Sequence, residues 1–147
     1  MLDAVLERPK TELIEELRYC LYARKSTEAE DRQAMSIDSQ LNEMSRLAET
    51  ENLKITDIKK ESHSAKVSGQ REIFNQMLED IEDGLYNAII CWDVSRISRS
   101  GGDIGRVIDL MDKGLLVEIK THGQTFKNTP NDKFLLMILC SQAKLEN

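Results

Sequence analysis

Hydroxyl and guanidinium groups come together where an apolar segment of the chain ends. Residues 19–23 have the composition of a buried strand, and Arg24, Lys25 and Ser26 follow directly. Arginine presents a planar fork of donors that fits phosphate oxygens, and its charge persists at any working pH. A serine hydroxyl beside such cations suits attack on a phosphate, so Ser26 is the candidate nucleophile.

A second apolar segment, residues 87–92, leads into another pair of arginines, Arg96 and Arg99. We expect the two strand ends to meet and form one anion-binding site, to which Arg71 contributes from the start of a helix. No histidine adjoins Ser26 and no carboxylates have metal-ligand spacing, which favours a phosphoryl site that uses arginines and needs no metal or other cofactor.

Two alternatives stay open at this point. Ser26 and Ser36 could instead be helix or turn caps, with the arginines solvated, because serine favours such positions. Arg96 and Arg99 would share a face and reach one phosphate in a helical turn, but would diverge in an extended segment.

Length and composition limit the class of protein. The chain has 147 residues, 40% hydrophobic and 31% charged, which fits one soluble globular domain without a membrane segment or signal peptide. Cys20, Cys91 and Cys140 lie far apart in apolar runs, as reduced thiols of a cytoplasmic protein would. The net charge of -6 predicts weak DNA binding by this chain alone, because phosphate neutralisation drives such binding.

The hydrophobic pattern predicts an α/β fold. A three-layer arrangement is expected, with a mostly parallel sheet of four to five strands flanked by helices. The pattern places a strand over 18–24, a helix capped by Ser36, and a helix from Arg71 that buries Ile73 and ends at Gly84. A fourth strand is expected over 115–119, after a helix that Ser100 and Asp103 begin as a capping box.

The two ends of the chain are expected to differ from this central domain. Residues 1–17 read as a helical extension, and residues 18–131 as the α/β domain. Residues 132–147 read as the start of a long helix that we expect to continue beyond the chain. Its run 134–140 is apolar all round, so it is either a core helix or a helix with one face on the sheet and the other on a partner subunit.

Short motifs spread through the chain carry a family resemblance. In chain order they are Tyr22-Ala23-Arg24-Lys25-Ser26-Thr27, Ser36-Ile37-Asp38-Ser39-Gln40, Ser68-Gly69-Gln70-Arg71, Ala88-Ile89-Ile90-Cys91-Trp92 and Ser95-Arg96-Ile97-Ser98-Arg99-Ser100. Each is weak alone, but the set resembles the catalytic domain of serine recombinases, the group of resolvases, invertases and large serine integrases. The resemblance runs from about Arg18 to Asn147.

The resemblance implies roles for individual residues. Ser26 would be the nucleophile that forms a 5′-phosphoserine link to cleaved DNA. The scissile phosphate would be bound by Arg24, Arg71, Arg96 and Arg99. The site would be supported by Tyr22, Gln40, Asp93 and Ser95. Because the phosphoserine link remains a phosphodiester, cleavage and rejoining of DNA would need no ATP. The arginines would supply the positive charge, so no metal would be needed.

The resemblance also implies partners. Members act on double-stranded DNA as dimers that form tetramers in the synaptic complex, joined through the helix that begins at 132–147. They bind DNA through a C-terminal region that this chain lacks, so we expect the catalytic domain of a larger bacterial or phage recombinase.

The chain departs from the family pattern at Ser95, where many members have aspartate. Asp93 would lie on the same strand face as Ser95, because side chains on one face of a strand recur every two residues. Its carboxylate would therefore replace the missing one only from a different position along the strand. A degenerate recombinase-like module that dimerises without cutting DNA is therefore one alternative function. An unrelated α/β phosphoesterase is another, and it predicts turnover of small phosphodiesters.

Overall fold

Helices and strands alternate along the chain in the computed structural model, which describes residues 16–25, 35–62, 71–97 and 101–145. The strands are β1 (Arg18–Arg24), β2 (Lys54–Glu61), β3 (Ala88–Ile90), β4 (Glu118–Lys120) and β5 (Thr125–Lys127). The helices are α1 (Ile37–Glu51), α2 (Glu72–Glu82), α3 (Val94–Ile97), α4 (Gly101–Asp112) and α5 (Pro130–Leu145).

The strands form one sheet in the order β2-β1-β3-β4-β5. Strands β2, β1, β3 and β4 pair in parallel, and β5 pairs antiparallel with β4. The predicted α/β architecture with a mostly parallel sheet is thereby confirmed. The carboxyl ends of β2, β1 and β3 lie at the same edge of the sheet, which is where sites form in folds of this kind.

Helices cover both faces of the sheet, because β1 is apolar on both sides. Cys20 and Tyr22 pack with α2, α4 and α5, whereas Tyr19 and Leu21 pack with α1. Successive residues of a strand point to opposite faces, so one continuous apolar run supplies both cores. Cys20 is buried as a free thiol, as are the other two cysteines, in agreement with the sequence.

The element boundaries follow local hydrogen bonding. Ser36 caps α1 as predicted, accepting a hydrogen bond from the backbone N–H of Ser39 at 3.0 Å. The strand predicted over 115–119 begins only at Glu118, because the N–H groups of Leu115 and Leu116 donate to the carbonyl of Leu110 at the end of α4. Ile73, expected on the buried face of α2, is 37% exposed.

Helix α5 buries one side and exposes the other. Leu136 and Cys140 are in the core, whereas four large apolar side chains on the same helix are exposed: Phe134, Leu135, Met137 and Ile138. The expected extension over 1–17 lies outside the described residues, except for Glu16 and Leu17. Within the described part of the chain, no helix is both long and apolar enough to cross a membrane.

Candidate active site

Arg24 ends β1 and folds its side chain over the short helix α3. Its Nε donates to the carbonyl oxygen of Arg96 at 3.3 Å, and its Nη2 donates to the carbonyl oxygen of Ser95. Its Nη1 donates to the carbonyl oxygen of Lys25 at 3.0 Å. The carboxyl ends of β1 and β3 therefore meet, as the sequence predicted, and the side chain of Arg24 joins them.

Gln40 holds the end of β1 from the opposite face of the sheet. Its amide oxygen accepts from the N–H of Arg24 at 3.3 Å, and its amide nitrogen donates to the carbonyl of Arg24 at 2.8 Å. The same nitrogen lies 3.2 Å from the carbonyl oxygen of Met35. Gln40 is fully buried, so α1 fixes the backbone of Arg24 through a side chain that acts as both donor and acceptor.

Arg71 lies directly before α2 and reaches under α3. Its Nη1 donates to the Tyr22 hydroxyl at 3.2 Å and to the Arg96 carbonyl at 3.1 Å. Its Nη2 donates to Asp103 Oδ2 at 2.9 Å and to the carbonyl of Ile97. Arg71 and Arg24 thus share one acceptor, the carbonyl oxygen of Arg96.

Glu61, at the end of β2, supports this arrangement. One carboxylate oxygen accepts from the Tyr22 hydroxyl at 2.6 Å and from the N–H of Phe74 at 2.9 Å. The other oxygen accepts from the N–H of Ile73 at 3.0 Å. Arg71 makes no capping side-chain bond at the start of α2, so Glu61 supplies the acceptors that the first turn of that helix needs.

The hydroxyl of Tyr22 remains protonated between these partners. Burial raises its pKa far above the ordinary value, and the hydrogen bond to Glu61 acts in the same direction, although the charge of Arg71 opposes them. Tyr22 is therefore a donor to Glu61 and an acceptor from Arg71, and it joins β1 to the start of α2.

Asp93, Ser95 and Arg96 form a chain of contacts where β3 leaves the sheet. The Ser95 hydroxyl donates to Asp93 Oδ1 at 2.6 Å, and Arg96 Nη1 donates to the Ser95 hydroxyl at 2.8 Å. Asp93 Oδ1 lies 3.8 Å from Arg96 Nη1. The carboxylate of Asp93 therefore reaches the guanidinium through Ser95 as well as directly.

Asp93 and Ser95 do not share a strand face, so that prediction was wrong. β3 ends at Ile90, and the Arg96 N–H donates to the Asp93 carbonyl at 3.1 Å as the chain enters a helical turn. Asp93 and Ser95 meet because the chain turns, and not because they are two residues apart in a strand.

The described residues bring together three of the four candidate arginines and all four candidate supporting residues. Arg24, Arg71 and Arg96 are fully buried. Ser26 and Arg99 lie outside the described residues, so their predicted roles remain predictions. Arg96 lies in α3, which supports the helical alternative for its own position.

Sequence reasoning missed two buried carboxylates, Glu61 and Asp103. Asp103 was interpreted as a helix cap because it falls in the first turn of α4, but its carboxylate contacts Arg71. Glu61 carried no local signal, since its partners lie in β1 and α2. Among the described residues, no three His, Cys, Asp or Glu side chains are grouped so that they could hold a metal ion.

The parallel sheet with arginines gathered at its carboxyl edge defines the class of protein: an α/β domain that can place several positive charges around one anion. Residues 19–147 match the family described as "Resolvase, N terminal domain", and the chain belongs to that family. The family match supports a site-specific recombinase as the class of enzyme. The family match leaves the phosphoesterase alternative without support.

Several solved structures share the fold, among them the following three. The N-terminal catalytic domain of TP901-1 integrase has a TM-score of 0.62 at 18% identity, over 88% of this chain and 95% of that one. A resolvase family site-specific recombinase from Streptococcus pneumoniae has a TM-score of 0.59 at 20% identity, over 88% and 87%. The C-terminal catalytic domain of ISC1926 TnpA, an IS607-like serine recombinase, has a TM-score of 0.57 at 19% identity, over 71% and 70%. No curated protein matches the sequence.

Proposed function

We propose that this domain cleaves and rejoins DNA through a covalent 5′-phosphoserine at Ser26. The Ser26 oxygen attacks the phosphorus of a phosphodiester and loses its proton, the P–O3′ bond breaks, and the 3′ oxygen leaves as a hydroxyl after gaining a proton. Attack by the 3′ hydroxyl of another strand reverses these steps. One phosphodiester replaces another at each stage, so the cycle requires no ATP.

The observation that carries the proposal is the convergence of Arg24, Arg71 and Arg96 on one short turn. Ser26 is two residues beyond Arg24 in the sequence, and the proposal requires its hydroxyl to reach this edge of the sheet. Transfer of a phosphoryl group depends mainly on positioning and on neutralising the charge of the oxygens. The arginines are proposed to supply that charge, with Arg99 as the fourth, and no metal is assigned a role.

The described conformation restricts the access of a DNA phosphate to the arginines. The side chains of Arg24, Arg71 and Arg96 are all buried, and the carbonyl oxygens of residues 95–97 occupy donors of two of them. Phosphate oxygens would have to compete with these carbonyl oxygens for the arginine donors. DNA binding must therefore open the chain around these groups before a phosphate can contact them.

The substrate and the assembly are part of the proposal. Double-stranded DNA is the substrate, bound through a further C-terminal region, and the acidic pI of about 5.0 fits a domain that leaves most DNA binding to another region. The exposed apolar side of α5 supports a homodimer that pairs into a tetramer. The free thiols fit the cytoplasm of a bacterium, for a gene carried by that bacterium or by a phage.

Denaturant-resistant attachment of the protein to DNA tests the proposal. The recombinase that contains this domain is incubated with DNA of the organism that encodes it, then denatured, and the attached DNA ends are sequenced to locate the site. The wild-type protein and a Ser45→Ala control, which alters an exposed serine of α1, are expected to form the adduct. Ser26→Ala is expected to form none.

Absence of an adduct in the wild-type protein, with DNA binding intact, would contradict the proposal and favour a degenerate module that assembles without cutting. The observation that favours this second function is the serine at position 95, where many members of the family have aspartate. The contacts among Asp93, Ser95 and Arg96 favour the active enzyme, because they supply a carboxylate beside Arg96 despite the substitution.

A further inference from the structure

Asp103 is a buried carboxylate that no part of the proposed chemistry uses. Its side chain is 1% exposed, and it lies in the first turn of α4, where the helix dipole favours a negative charge. Oδ2 lies 2.9 Å from Arg71 Nη2, and Oδ1 lies 3.6 Å from Arg106 Nη1, whose side chain is 42% exposed. The closest charge partner is thus a guanidinium that has no exposed surface.

Each N–H bond of the two terminal Arg71 nitrogens has an oxygen acceptor. Two of these acceptors, the carbonyls of Arg96 and Ile97, belong to α3, and the others belong to Tyr22 and Asp103. The guanidinium carbon also lies 3.8 Å from the centre of the Phe74 ring, which limits movement toward that side. In this conformation the fork of Arg71 binds protein oxygens, so Arg71 acts on α3.

Helix α3 depends on these contacts for its position. It has four residues, and so short a helix has almost no stability of its own. Its carbonyls point to Arg24 and Arg71, which hold it from β1 and from α2. The direction of Arg96 is fixed by the same turn, so a change in Arg71 would move the guanidinium that is proposed to meet the phosphate.

A carboxylate at position 103 keeps Arg71 in place. A buried cation without its counter-charge is strongly unfavourable, and it is relieved when the side chain turns toward water or toward another anion. Without Asp103, Arg71 would gain by leaving the α3 carbonyls before DNA binds, and the turn that carries Arg96 would lose its support before the phosphate arrives.

We propose that Asp103 is a positioning residue for DNA cleavage, which holds Arg71 against the carbonyls of α3 until a phosphate binds and thereby orients Arg96. This proposal rests on the proposed function, because it needs a cleavage reaction to measure. It assigns to α4 a role in the reaction that neither the motifs nor the family match assigns.

Single-turnover cleavage by Asp103→Asn tests the proposal, in the recombinase that contains this domain and on the site mapped with the wild-type protein. Asp109→Asn is the matched control, because it makes the same change on an exposed residue of the same helix. Cleavage by Asp103→Asn is expected to be about 100-fold slower, the effect of a misplacement of about 1 Å, at a temperature where the variant is folded. The affinity for DNA and the rate of Asp109→Asn are expected to match the wild type.

The double variant Arg71→Ala/Asp103→Asn separates action through Arg71 from an independent role. It is compared with Arg71→Ala alone at enzyme concentrations and times long enough to measure the residual cleavage of Arg71→Ala, and the two rates are expected to be equal, because the carboxylate has nothing left to hold. Rate losses that multiply would overturn the proposal, and so would a wild-type rate in Asp103→Asn.

If Asp103→Asn does not fold, Asp103→Glu carries the test, since it keeps the charge and moves the carboxylate by one methylene. Slower cleavage by Asp103→Glu with unchanged DNA affinity is expected, and a wild-type rate would overturn the proposal. A wild-type protein that forms no adduct would instead contradict the proposed function, so the two failures are distinguishable.

Discussion

Glu61→Gln is expected to destabilise the fold and the site together. The carboxylate accepts three hydrogen bonds, from the Tyr22 hydroxyl and from the N–H groups of Ile73 and Phe74. Glutamine keeps one acceptor oxygen, so its NH2 group must face either the N–H of Ile73, or both the hydroxyl of Tyr22 and the N–H of Phe74. Loss of one hydrogen bond to a buried charged group costs about 1.5–3 kcal/mol. For a chain of this length, that loss corresponds to a fall in Tm of roughly 5–10 °C.

Thermal unfolding followed by circular dichroism measures this effect, with urea unfolding as a second measurement of the free energy. Glu49→Gln, on the exposed side of α1, is the matched control and is expected to leave Tm unchanged. Tyr22→Phe removes a partner of the same carboxylate, so the double variant is expected to lose less than the sum of the single losses. A Tm for Glu61→Gln equal to that of the control would refute the assignment of Glu61 as the cap of α2.

Two further measurements test other parts of the structure. Burial raises the pKa of Cys20 and of Cys140 to about 12, and it also raises that of Cys91. The unfolded chain loses these thiol protons near pH 9 and the folded chain does not, so the free energy of unfolding should fall between pH 9 and 12. Rapid labelling of the native thiols at pH 8 would contradict this. Phe134→Glu, on the exposed side of α5, should weaken self-association in sedimentation experiments without lowering Tm. Asn131→Asp, the control on the same helix, should leave self-association unchanged. Equal association of the two variants would contradict an interface there.

The sequence alone was sufficient to predict strands, helices and caps where the local signals agree with the fold. The apolar run that ends at Arg24 predicted a strand with the right bounds, because both of its faces are buried and no polar residue interrupts it. Ser36 was recognised as a cap because its hydroxyl needs only the N–H of Ser39, three residues away. The all-round apolar pattern of α5 predicted a helix but did not decide between a core helix and one that also contacts a partner; in the structure one side is covered and the other exposes apolar groups.

The side-chain contacts that fix the site could not be predicted from the local sequence pattern, because they join residues that are far apart in the sequence. Asp103 lies at a helix start, where a cap is the simplest interpretation, and its contact with Arg71 exists only because α4 packs beside α2. Glu61 and Tyr22 are 39 positions apart in the sequence and meet because β2 pairs with β1. Asp93 was assigned to a strand face because the bend after Ile90 has no glycine or proline to mark it.

Identification of the residue and the DNA end that become joined is the most direct test of the central claim. The trapped adduct is digested with nuclease and protease, and tandem mass spectrometry locates the remaining nucleotide on the peptide. We predict a phosphodiester between the Ser26 oxygen and the 5′ carbon of the nucleotide, with a free 3′ hydroxyl on the other side of the break. A nucleotide attached to Ser36, to Tyr22 or through its 3′ oxygen would contradict the account.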